Sequence, residues 1–136
     1  MIKLVITNII TSIVIHAALC CVSYFIINSL ARFQGSVFAN IFFIGIAIAI
    51  PLLYILCGRL FIHNTGTIFY NILSIAVLAI ILLIVMSMPS NIVILSNYSI
   101  LPITVSMQMI FPEFITFPLA AILPSLLLYV GIIIRK

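Results

Sequence analysis

Only six side chains in this 136-residue chain are charged, and all but the adjacent Arg135 and Lys136 stand far apart: Lys3, Arg32, Arg59, Glu113, Arg135 and Lys136. The residues between them are overwhelmingly aliphatic, and a folded chain in water has too little polar surface to carry so many. Hydrophobic residues make up 67% of the sequence and the mean hydropathy is +1.58. Soluble chains are about one-quarter charged, against 4% here. The composition therefore calls for lipid as solvent. A spanning helix needs about 20 apolar residues, so a chain of this length accommodates four.

The expected fold is an all-α integral membrane protein, a single four-transmembrane-helix bundle over residues 1–136. The apolar runs place its helices at about 4–30, 38–57, 67–88 and 117–134. The first run follows Lys3 but far exceeds the 7–15 apolar residues of a secretory signal, and is read as a spanning helix. Gly35 breaks the chain after it, and Gly58-Arg59 with His63-Asn64-Thr65-Gly66 marks the next polar connection. Pro51 and Pro124 fall within helices and should kink them. Between the third and fourth helices lies a long segment, 89–116, interrupted by Pro89, Pro102 and Pro112. None of its pieces reaches spanning length, so it is expected to be interfacial or re-entrant, its backbone satisfied by protein or water.

Basic residues orient such a bundle, because cytoplasmic loops carry the excess of Lys and Arg. With the N-terminus inside, Lys3, Arg59, Arg135 and Lys136 are cytoplasmic, and Arg32 with Glu113 is outside. Both termini are thus expected in the cytoplasm and segment 89–116 on the exterior. The Ile- and Asn-rich, Trp-free composition resembles that of small membrane proteins of AT-rich Gram-positive bacteria. That resemblance implies a bacterial cytoplasmic membrane.

Within the first helix Asn8, Ser12, His16, Cys20 and Ser23 recur at i+3 or i+4, so they share one face. The third helix carries Thr67, Asn71 and Ser74 at similar spacing. Asn8, Ser12, His16, Asn71 and Ser74 form the expected intramembrane polar cluster, since such groups avoid acyl chains. Tyr54 and Cys57 are placed to join it. His16 lies a little past the middle of a core of about 30 Å, with no acid inside the membrane to pair with. It is read as a neutral imidazole bonded to neighbouring polar groups.

Three functional readings follow from these residues. In the first, the protein is a small non-enzymatic membrane component acting through protein or lipid contacts, of an accessory, immunity or stress type. Its partners are the bilayer and a larger membrane protein or a second copy of itself. In the alternative, a small oligomeric transporter, channel or holin-like pore runs a polar path along the first helix. A further alternative is outer-face Cu(I) binding by Met86, Met88, Met107 and Met109, since thioethers suit that soft ion. The expected roles exclude an enzyme, because the membrane interior lacks the paired titratable groups that acid–base work uses. No cofactor is called for, and cations scattered singly, or paired only at Arg135-Lys136, give no nucleic-acid face.

Overall fold

The computed structural model describes residues 2–31, 37–87 and 113–134, all helical apart from one short loop at 62–67. The four helices are α1 (Ile2–Ala31), α2 (Val37–Phe61), α3 (Ile68–Ser87) and α4 (Glu113–Ile134). Three of them hold stretches long and apolar enough to cross a membrane: Ile2–Ser29, Ile44–Phe61 and Ile68–Val85. In α4 the apolar stretch Leu119–Ile134 is shorter. A helix bonds its own backbone groups, which is the condition a chain must meet in lipid.

The bundle closes in the order α1–α2–α4–α3. α4 packs most extensively on α2 and next on α3, while α1 leans on α3 and less on α2. Among the described residues α2 and α3, consecutive in the chain, do not touch. They occupy opposite corners, and loop 62–67 crosses the mouth of the bundle to join them. Consecutive elements are usually neighbours, so this diagonal crossing places unusual demands on the loop.

At its C-terminal boundary α2 departs from the expected range by four residues. It continues through Gly58 and Arg59 to Phe61, where the sequence suggested a break after Cys57. The reason is the α2–α4 contact. A Cβ on Gly58 would collide with the Leu128 backbone, and one on Gly131 with the backbone of Ile55, Gly58 and Arg59. Two glycines without side chains bring these helices into backbone contact, as small residues do at close crossings. Gly58 is a packing residue here, not a breaker.

α4 starts at Glu113, directly after Pro112, so the last four residues of the expected segment 89–116 are helical. Pro118 accordingly falls in its second turn. Pro51 lies within the continuous α2 and Pro124 within the continuous α4. α3 begins one residue later than expected, with the Thr67 carbonyl accepting from the Asn71 N–H at 3.2 Å. Residues 89–112 lie outside the described residues.

The buried face of α1 is half polar. Val5, Ile15 and Leu19 share it with Asn8, Ser12, His16 and Ser23. Its outer face carries Ile6, Ile10, Val14, Val22 and Phe25. The other helices fill the core with Ile46, Ile50, Tyr54, Ile75, Leu78, Leu82, Leu128 and Ile132. Apolar side chains therefore clothe the outside, and much of the polarity faces in.

Candidate functional site

All five residues of the expected polar cluster are buried: Asn8, Ser12, His16, Asn71 and Ser74. They do not form one hydrogen-bonded group. Asn8 and Asn71 both turn to loop 62–67, His16 turns to α2, and the two serines bond within their own helices.

Asn8 clamps one residue of the loop by its backbone. Its Nδ2 donates to the His63 carbonyl at 2.8 Å, and its Oδ1 accepts from the His63 N–H at 3.1 Å. A primary amide matches a peptide group in this way because it offers one donor and one acceptor side by side. Asn71 holds the following residues. Its Oδ1 accepts from the Thr65 N–H at 2.9 Å and lies 2.8 Å from the Thr65 hydroxyl, and its Nδ2 donates to Asn64 Oδ1 at 2.9 Å. Asn64 Oδ1 also accepts from the Gly66 N–H at 2.9 Å. That turn brings the chain to a φ of 80° at Gly66, a left-handed conformation that favours glycine. Ile62, fully buried, plugs the mouth from the same loop.

The physical logic is that of a crossing strap. A loop spanning the diagonal leaves peptide groups over the interior, and a buried unpaired peptide group costs about as much as a lost hydrogen bond. Asn8 from α1 and Asn71 from α3 supply the missing partners from either side.

Deeper in the bundle, His16 Nδ1 lies 2.7 Å from the Tyr54 hydroxyl, and its Nε2 lies 3.5 Å from Cys20 Sγ one turn along α1. The two rings sit 6.0 Å apart, tilted by 35°. The donor at each contact follows the imidazole tautomer. Tyr54 is fully buried, so its phenol needs a partner, and His16 supplies one. Ser12, Ser23 and Ser74 donate to the carbonyls of Ile9, Leu19 and Tyr70 in their own helices, the usual recourse of a hydroxyl inside an apolar helix. Ser125 Oγ on α4 is buried with no hydrogen-bond partner.

A groove of about 420 Å³ with a mixed, mainly apolar lining opens beside the strap, bounded by Asn64, Thr67, Asn71, Tyr129 and Ile133 among others. Cys57, expected near the cluster, is half-buried and faces a separate apolar groove with Phe61. Among the described residues no three His, Cys, Asp or Glu side chains gather as a metal site would require. Met86 sits in the last turn of α3; its side chain, with Met88, Met107 and Met109, lies outside the described residues.

Two features had weak or unused signals in the sequence. The run His63-Asn64-Thr65-Gly66 has the Asx-turn chemistry of a tight loop, but nothing local to it names Asn8 and Asn71 as partners. Gly131 stands in an apolar helix, where glycine costs about 1 kcal/mol against alanine, and such a cost signals a packing reason. No protein-family model matches this chain, and neither a curated protein nor a solved structure resembles it significantly.

Proposed function

We propose that the chain is a four-helix integral protein of a bacterial cytoplasmic membrane, with both termini cytoplasmic, that acts through contacts with protein or lipid rather than by catalysis. The observation that carries this reading is the direction of its polar groups. Asn8, Asn71 and His16 face inward and are engaged by the strap and by Tyr54. Large apolar residues on every helix are left outward, among them Val14, Ile48, Ile80 and Leu126. A surface of that kind is stable only against acyl chains or another apolar helix.

The same bonds weigh against a conducting path along α1. Transport requires Asn8, His16 and Asn71 to open onto one wet passage, and each has its polar atoms turned to an internal partner. The termini of the described helices fit the orientation set by the basic residues: Lys3 near the start of α1 and Arg59 near the end of α2 stand at one end of the bundle, joined there by the Asn8–His63 clamp.

Crosslinking in native membranes followed by purification tests the reading. A contact protein co-purifies with a membrane partner or with itself. That association is lost when segment 89–116 is replaced and kept in His16→Ala. Proton or ion flux into proteoliposomes that disappears in His16→Ala would overturn it in favour of a channel.

A further inference from the structure

The four helices are not held with equal firmness. α2 and α4 meet backbone to backbone at Gly58 and Gly131, and α4 packs broadly on α3 as well. Those three helices form one block. α1 leans on α3, packs lightly on α2 and scarcely touches α4. Along its α2 side a gap of about 380 Å³ stays open, lined by Ile10, Val14 and Ala18 of α1 with Cys57 and Phe61 of α2. A gap forfeits the dispersion contacts that facing side chains would make, so this seam is the weak one.

Two polar attachments bridge it. At the mouth Asn8 engages both groups of the His63 peptide, and about two helical turns deeper His16 meets the Tyr54 hydroxyl at 2.7 Å. Cys57 and Phe61, which line the gap, fall between Tyr54 and His63 in the chain. The seam is latched on either side of a stretch that packing leaves unfilled. We propose that α1 is a lateral gate: it swings away from α2 on its α3 edge when the Asn8–His63 and His16–Tyr54 bonds part, while α2, α4 and α3 stay together as a block.

Hydrogen bonds suit a latch because they depend steeply on distance and angle, which gives the seam two discrete arrangements, bonded and parted. Parting frees the polar atoms of Asn8, His16 and Tyr54, and such groups are costly against acyl chains. The open state is therefore favoured only where a partner offers polar groups in their place, and its population follows that partner's preference for it. The gate rests on the membrane-embedded contact reading and gives it a regulation: the polar face of α1 is shown only to a partner able to pair with it.

The native thiols report the motion. Cys57 is half-buried in the seam, and Cys21 is exposed on α1. Maleimide addition needs the thiolate and hence water, which reaches Cys57 when the seam opens at the mouth. The protein in proteoliposomes is treated with N-ethylmaleimide, and each thiol is followed by mass spectrometry. Asn8→Ala and Tyr54→Phe are each expected to speed Cys57 alkylation about three- to fivefold, the factor one such hydrogen bond is worth. The double variant gives about the product of the two, because the latches lie about 12 Å apart along α1 and act independently. Ser12→Ala, whose hydroxyl bonds within α1, leaves the rate unchanged. So does Gly131→Ala, which pushes α4 off α2 and serves as the control for general loosening. An unchanged Cys57 rate in both latch variants, or an equal rise in Gly131→Ala, overturns the gate alone. If an impermeant charged maleimide modifies wild-type Cys21 as fast as it does in the SDS-unfolded protein, that face meets water, and the membrane reading fails together with the gate.

Discussion

Replacing Gly131 by alanine adds one methyl group where the structure has no room for it. The new carbon would overlap the Ile55 carbonyl oxygen, and would lie 2.7 Å from the Arg59 nitrogen and 3.0 Å from the Gly58 carbonyl carbon. Ordinary contact begins near 3.4 Å. All three obstacles are backbone, so no side-chain rotation relieves them, and α4 must move off α2 by more than about 0.5 Å. Forcing a methylene into a packed core costs about 1–3 kcal/mol, and an obstacle made of main chain belongs at the upper end. Better helix propensity returns up to about 1 kcal/mol, leaving a net loss of about 2 kcal/mol. Gly45→Ala is the matched control, because a Cβ there meets nothing within 4 Å. Equilibrium unfolding in mixed detergent–SDS micelles reads both. Gly131→Ala unfolding at lower SDS than wild type, with Gly45→Ala unchanged or more stable, is the expected pair. Equal stability of the two variants would refute the backbone crossing.

The strap makes its own predictions. Asn8→Ala removes both partners of the His63 peptide and should cost about 1–3 kcal/mol, with faster hydrogen exchange over 62–67; Ser12→Ala, whose hydroxyl bonds only within α1, should leave exchange there unchanged. For the inner pair, a double-mutant cycle of His16→Ala and Tyr54→Phe should give a coupling of about 0.5–3 kcal/mol, the range for residues in contact; additive effects would dissolve the pair. Ser125→Ala deletes a buried hydroxyl that has no partner, so it should be neutral or stabilising by up to about 1 kcal/mol in the same unfolding assay.

The helices were legible because apolar length is a long-range signal that averages over many residues. So was the inward face of α1: a 3.6-residue period put Asn8, Ser12, His16, Cys20 and Ser23 in line, and the structure buries all but Cys20, which is half-buried. What stayed hidden depends on which helix meets which. The small pair Ala121 and Ser125 is buried, whereas Gly45, Ala49, Ala17 and Cys21 face outward; spacing alone does not tell these cases apart. Gly58 read as a break because glycine at a polar boundary usually is one, and only the approach of α4 reveals its use. The pinning of the strap is equally non-local. It follows from α2 and α3 standing at opposite corners, an order that periodicity within a helix does not encode.

The central claim is an apolar coat around inward polarity, and spin-label accessibility tests it most directly. Nitroxides at Val14, Ile48, Ile80 and Leu126, one on the outer face of each helix, are compared in proteoliposomes with one at exposed His63 on the strap. Power saturation then measures collisions with oxygen, which partitions into lipid, and with a water-soluble nickel complex. The account predicts high oxygen and negligible nickel access at all four helix positions, with nickel reaching the label at His63. Nickel access at the helix positions matching that at His63 would mean that these faces meet water, and would contradict it.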